Sequence, residues 1–261
     1  MDLRHLNKSG IFLQHRVSPA SRAAILFTAA LAAIAFITSI ATHLTFAALP
    51  NIAPLVLGVL AVDILSPFAP TTRLVTAVKM LLYGVLYLAI TSFCGVLAAY
   101  ATQRLAFPLQ DQFFRIADMA LGVKWFDFVY WTDQHPMLKV LFELAYGSMS
   151  SQIALPLLVL ALANRSGELR VYLLAYSIAL TVTVIIATFV PGTSPIAVID
   201  RSTFETLRFS GATPLDHLMQ LRSGAPMVLR EFPGGILTFP SFHATVAFMA
   251  PLSLRRYRPL F

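Results

Sequence analysis

Close to the end of the sequence, Phe239-Pro240-Ser241-Phe242-His243-Ala244 leads directly into the apolar run Thr245–Leu252. Proline and serine are residues that start helices, so this spacing predicts Ser241 and His243 in the first turn of one. The first turn has backbone N–H groups without intrahelical partners and the positive end of the macrodipole. Phosphate groups settle at such places. A serine hydroxyl there can donate to a phosphoryl oxygen, and a histidine one turn in can carry a proton to a departing alkoxide. The pattern suits phosphoryl transfer. It also suits a plainer account, in which Ser241 only caps the helix and His243 is an amphipathic interfacial residue.

Those residues must be held by some scaffold, and composition says which kind. Of the 261 residues 57% are hydrophobic and 12% charged, whereas a soluble domain carries about a quarter charged. Disorder, a coiled coil and a disulfide scaffold are excluded by the same figures, with Cys94 the only cysteine. The expected fold is all-α, a polytopic transmembrane helix bundle with interfacial helices in its outer loops. Crossing the hydrocarbon takes about 20 apolar residues. By that ruler the spans are 25–49, 52–69, 74–101, 138–163, 169–190 and 236–254, about six in all. Pro50 and Asn51 separate the first two, which could instead form one re-entrant hairpin. The last is short and starts on polar residues.

Charge sets the orientation. With the N-terminus inside, residues 1–22, the Arg73 turn, the Arg165–Arg170 turn and the tail hold ten Lys or Arg against Asp2 and Glu168. The opposite side, 102–137 and 191–235, holds seven basic and eight acidic residues. Lys and Arg near span ends stay cytoplasmic, so the N-terminus is expected inside and both long segments outside. The organisation that follows is a cytoplasmic tail (1–22), N-terminal transmembrane helices (23–101), an interfacial aromatic segment (102–137) and a core over 138–261.

The first outer segment has Asp111, Arg115, Asp118 and Gly122 at helical spacing, one polar stripe, with Phe113, Phe114, Ile116, Met119, Leu121 and Val123 on the other faces. Trp125, Phe126, Phe128, Tyr130 and Trp131 follow. Such a helix is expected to lie flat at headgroup level. The second outer segment is broken by prolines and glycines and contains two short helical signals: the Ser202/Glu205 capping spacing and Thr213-Pro214 before Leu215–Leu221. Its arginines are Arg201, Arg208, Arg222 and Arg230. A connection this much longer than the usual ~4–6 residues is commonly functional.

Phe239-Pro240-Ser241-Phe242-His243, closing a long outer loop after several spans, resembles the second motif of the membrane-bound type 2 phosphatidic acid phosphatase superfamily. Phe242 stands where most of its phosphatases have glycine, which is similar to the inositol phosphorylceramide synthase and inositolphosphotransferase branch. The stretch Asp111–Trp131 is similar to a region preceding the core helices of bacterial members, so the resemblance covers most of the chain after Gln110. It implies a metal-independent phosphoryl transfer on a phosphorylated membrane lipid, without a cofactor, in a bacterial plasma (inner) membrane. A histidine nucleophile oriented by an aspartate would form a phospho-enzyme. On this chain Ser241 would hold a phosphate oxygen and His243 would protonate the leaving group. Arg222 and Arg230 are candidate phosphate binders by position in the loop, and their guanidinium forks equally suit lipid headgroups.

Two features depart from the family pattern. The first motif, a lysine seven residues before an Arg-Pro pair, does not occur: the only such pair is Arg258-Pro259, and position 251 is Pro251. The third motif, which carries the nucleophile and its aspartate, is expected on a later span, yet no histidine or acid follows His243. The expectation is therefore a core truncated before the nucleophile, and a protein that is an enzyme of this type or an inactive relative binding lipid headgroups. A small transporter or channel subunit is the third reading. It predicts paired broken spans and charges at mid-membrane; only Pro156 interrupts a span centrally.

Other polar residues have simpler explanations. Asp63 and Lys79 are expected as a snorkelling pair near the cytoplasmic surface. Glu143, Ser148, Ser150, Ser151 and Gln152 form a polar stripe of the kind that marks helix contact. No Cys/His cluster suggests zinc, no Gly-rich loop suggests a nucleotide, and no basic-aromatic domain suggests nucleic acid.

Overall fold

The computed structural model describes residues 18–47, 53–65, 72–193, 212–225, 227–229 and 235–255. Among these the chain is helical apart from two three-residue strands: α1 Pro19–Ala41, β1 Leu44–Phe46, α2 Ala53–Leu65, α3 Arg73–Gln103, α4 Asp111–Ala120, α5 Trp125–Asp133, α6 Pro136–Gly147, α7 Met149–Leu162, α8 Ser166–Phe189, α9 Ala212–Arg222, β2 Met227–Leu229 and α10 Phe242–Leu254. The Asp63 side chain, Arg201, Arg208 and Arg230 lie outside the described residues.

Local signals set the helix starts. The Ser18 side chain accepts from Ser21 N at 3.1 Å with Pro19 in the first turn, and Thr72 accepts from Val75 N at 3.3 Å. Each satisfies a donor that the helix itself cannot. Helices α1, α3 and α8 are each long and apolar enough to cross a membrane. Helices α6 and α7 pass the same test together and are bent by 49° at their junction. The remaining expected spans, 52–69 and 236–254, form α2 and α10, each of 13 residues. At 1.5 Å per residue these reach about 20 Å, less than the hydrocarbon thickness. Large apolar side chains such as Phe36, Ile37 and Ile40 of α1 and Leu57 and Ile64 of α2 face outward, as lipid contact requires.

The long helices run parallel. Thr28 meets Tyr87 and Thr91, and the Thr42 carbonyl meets Arg104, so α1 and α3 keep step. Ser177 meets Tyr87 and the Ala187 carbonyl meets Gln103, so α8 keeps step with α3. Both long segments, 102–137 and 191–235, therefore leave from one end of the bundle, the loop end. Helix α2 lies between α1 and α3 in the sequence. Helix α8 is central: 50% of its apolar window is buried, against 17% for α1 and 22% for α3.

Hydroxyls tie this trio together. Tyr87 donates to the Ala24 carbonyl at 2.8 Å and shares hydrogen bonds with Thr28 and Ser177. Thr28 also bonds Thr91 at 2.9 Å, and Ser92 bonds Tyr176 at 2.7 Å. Thr91 and Ser177 are fully buried. In lipid such bonds average about 0.6 kcal/mol. Tyr87→Phe, which loses three of them, should cost about 1–2 kcal/mol in reversible unfolding from detergent micelles; no change in the midpoint would contradict the network.

At the loop end β1 pairs in parallel with β2, Leu44 opposite Met227 and Phe46 opposite Leu229. This pairing stops α1 at Ala41, well before the Leu49 limit that hydropathy predicts. Leu44, Tyr100, Ala101, Leu221, Met227, Leu229 and Ile236 form a small buried cluster there. Arg104, 8% exposed, sits beside it. Its guanidinium donates to the carbonyls of Thr42 (3.0 Å), Ala225 (2.9 Å) and Gly224 (3.2 Å). These carbonyls lie just past the ends of α1 and α9, where helices leave acceptors unpaired. Gly224 has φ +72°, a conformation that suits glycine at a helix end.

The aromatic segment forms α4, as its Asp111–Gly122 stripe predicts, and a second helix, α5, over the aromatic run that follows. Phe113, Ile116, Met119 and Leu121 are exposed, while Phe114 turns inward against Phe239, ring centroids 4.6 Å apart.

Candidate active site

Ser241 is the N-cap of α10, as its sequence position predicts. Its Oγ accepts from Ala244 N at 3.3 Å, which leaves the hydroxyl proton free to donate. Thr245 returns both its backbone N–H (3.1 Å) and its hydroxyl (3.0 Å) to the Ser241 carbonyl, locking the first turn. The backbone N–H groups of Phe242 and His243 lie within that turn and need partners from outside the helix.

Phe242 and His243 face different neighbours. Phe242 turns edge-on to Tyr176 of α8, centroids 5.4 Å apart. His243 is half-buried and stacks on Tyr146 at 4.1 Å and 10° between planes. Neither of its ring nitrogens has a hydrogen-bond partner among the described residues. Tyr146 is the penultimate residue of α6, directly before the bend into α7. The bend, Tyr176 and the start of α10 thus meet at one place.

That place is beneath the loop end. Tyr176 lies thirteen residues before Phe189, the end of α8, a distance of about 20 Å. The extended segment 235–241 leads down to it, fastened where Thr238 donates to the Gly192 carbonyl at 2.7 Å. Gln103, Ala187, Pro191, Gly192 and residues 236–239 line a shallow cleft at that fastening. The Pro-Ser-x-His junction accordingly starts part-way down α8.

Arg222 is elsewhere. Its Nη2 donates to the Phe107 carbonyl, and Phe107 packs edge-on to Phe189 at the loop end. Burial lowers the pKa of this guanidinium, and the nearby Asp111 carboxylate acts against that. Asp111 Oδ1 meanwhile accepts from Thr193 N at 2.8 Å. Arg222 Nη1 is buried without a hydrogen-bond partner among the described residues. The structure places Ser241 and His243 in the first turn of α10 and Arg222 at the loop end, against the Phe107 carbonyl; Arg230 lies outside the described residues. Glu143, expected in a polar stripe, is exposed and pairs with Lys139 at 3.9 Å. Ser148 donates to the Ala145 carbonyl and accepts from Gln152. Among the described residues no group of three His, Cys, Asp or Glu is placed to hold a metal ion.

Two participants were not foreseen from sequence. Tyr146 carries no motif and meets His243 only because of the bend. Arg104 was counted among the loop charges, and its partners are three backbone carbonyls that have no sequence signature.

Apolar helices long enough to span a bilayer, with a Ser/His helix start set among them, define a membrane protein. A family model described as the PAP2 superfamily matches residues 112–261, and the chain belongs to that superfamily, one of phosphatase-type lipid enzymes. The match takes in the interfacial helices as well as the Pro-Ser-x-His junction. Comparison with curated proteins and with solved structures gives no match.

Proposed function

We propose that the α10 junction is the leaving-group half of a phosphoryl-transfer site for a phosphorylated membrane lipid, of the lipid phosphatase or inositolphosphotransferase type. The observation that carries this reading is the first turn of α10. Ser241 keeps a hydroxyl proton to donate, the helix start supplies N–H groups, and neither ring nitrogen of His243 has a partner among the described residues. A phosphate bound there has its P–O ester bond broken by a nucleophile on the far side. The departing alkoxide takes a proton from the His243 imidazolium, and water or an alcohol then accepts the phosphoryl group. Arg230 and Arg222 serve as anion or headgroup binders of the loop, Arg222 at the loop end where headgroups arrive. No metal or cofactor enters this sequence of steps.

On this reading Ser241 and His243 supply phosphate binding and the leaving-group proton, and the nucleophile is a separate group on the opposite side of the phosphorus. The charge balance supports an arrangement with the N-terminus cytoplasmic and the loop end outside, as in a bacterial plasma membrane.

Phosphate release from phosphatidic acid in mixed micelles by the purified chain, alongside binding of the same lipid, tests this. We expect binding that weakens at least fivefold in Ser241→Ala, with release no faster than in His243→Ala. A phospho-histidine trapped at His243 during release would make His243 the nucleophile and overturn the assignment, and unchanged lipid binding in Ser241→Ala would remove the phosphate site. Ser241→Ala also loses a cap worth about 1 kcal/mol, so its melting point is measured with its binding.

A further inference from the structure

His135 meets the Trp131 ring at 4.7 Å and 38° and is also fixed through a ring nitrogen, its Nδ1 lying 2.7 Å from the Trp131 carbonyl. Among the described residues His243 is held by its face alone, by the Tyr146 ring at 4.1 Å and 10°. The nitrogens of an imidazole lie in its plane, so a clamp on the face leaves both edges open. Tyr146 itself is 67% exposed and contributes little to the core. It reaches His243 because α6 ends at Gly147 and the chain bends by 49° into α7.

The surroundings define what else could act on that ring. From α6 come Tyr146 and, about one and two turns earlier, Glu143 and Lys139, which pair with each other. Helix α7 carries no titratable residue. From α8, Tyr176 lies beyond Phe242, bonded to Ser92, while Glu168 and Arg170 sit at its opposite end. The closest π face is that of Tyr146, and a cation over such a face is stabilised, which offsets part of the cost that burial puts on the charged His243 ring.

We propose that Tyr146 is a positioning residue for His243: it clamps the imidazole by its face, keeps both ring nitrogens open to a phosphate and its leaving group, and favours the protonated ring. This rests on His243 being the acid of the site proposed above. It further assigns the α6–α7 bend a task, since a straight helix would carry the Tyr146 ring away from α10.

The test is an NMR titration of the full chain with labelled histidine in detergent micelles. Tyr146→Leu should lower the His243 midpoint by about half a pH unit, whereas Tyr146→Phe and Tyr146→Trp should stay within about 0.2 of the wild type. His135 should not move in any variant, which also reports on folding. An unchanged midpoint in Tyr146→Leu overturns the proposal. So does an equal shift in Tyr146→Phe, which would assign the effect to the hydroxyl. Inorganic phosphate added to the wild type should perturb the His243 signal and not that of His135. If it perturbs neither, the phosphate site is wrong while the comparison of Tyr146 variants still decides the clamp.

Discussion

Arg104→Met should be among the most damaging single substitutions in the chain, at about 3–5 kcal/mol. The arginine is nearly buried and its three hydrogen bonds end on the carbonyls of Thr42, Gly224 and Ala225. Methionine fills much of the same volume but donates nothing. Three acceptors at two helix ends then lack partners, and each buried unsatisfied group costs roughly 1–3 kcal/mol, moderated where water reaches it. Arg104→Lys should recover only part of this, because one ammonium cannot span three carbonyls as a planar fork does. The readout is the detergent unfolding midpoint together with limited proteolysis. We expect new cleavage between α9 and β2 in Arg104→Met. A variant with wild-type midpoint and cleavage pattern would remove the clasp from the account.

Gly95→Val should be nearly as severe, about 3 kcal/mol, through a different cause. A Cβ at Gly95 would lie 2.8 Å from Leu180 Cγ and against both of its methyl groups, so the whole Leu180 side chain of α8 is in the way. Helices α3 and α8 would have to separate, and overpacking of this sort typically costs 1–3 kcal/mol, occasionally more. Gly84 offers the contrast. There the intruding atom is one terminal methyl of Leu157, with its Cγ at 3.5 Å, so a rotamer change makes room. Gly84→Ala should therefore cost less than about 1 kcal/mol, offset in part by alanine's better helix propensity. Thermal unfolding of the two variants in one detergent compares them directly. Equal losses would show that α3 does not lie closer to α8 than to α7.

Much of the architecture was legible in the sequence because lipid imposes a coarse rule. Long apolar runs became α1, α3 and α8, and the Asp111–Gly122 stripe became the amphipathic α4. Ser241 caps its helix where a Pro-Ser pair said it would. What hydropathy could not supply was anything set by contact across the bundle. The break in the fourth span is an example. Pro156, the evident breaker, lies buried within a continuous α7, while the bend falls at Gly147-Ser148. Neighbouring helices can carry a proline through a membrane helix, so the residue type alone does not locate the bend. Likewise α1 is cut short by a strand pairing with residues near 228, and a hydropathy window sees no such partner.

The candidate site divides along the same line. Ser241 and His243 were readable because a helix start is local chemistry. Arg222 looked like an anion binder from loop position, and the fold gives its Nη2 to the Phe107 carbonyl beside Asp111. Tyr146 had no signal at all, since its contact depends on the angle between two helices.

The parallel pairing of β1 with β2 has a consequence for how the protein can be divided. The family match begins at residue 112, which invites treating everything before it as an appendage. Yet Leu44–Phe46 is hydrogen-bonded to Met227–Leu229, Arg104 grips the turn after α9, and Leu31, Ala35 and Leu88 share one core with Tyr176 and Val246. The boundary visible to a sequence comparison passes through a continuous body. The first hundred residues are the wall against which the family-matched half is built, and a protein cut at that boundary would keep the motif and lose the surface that holds it in place.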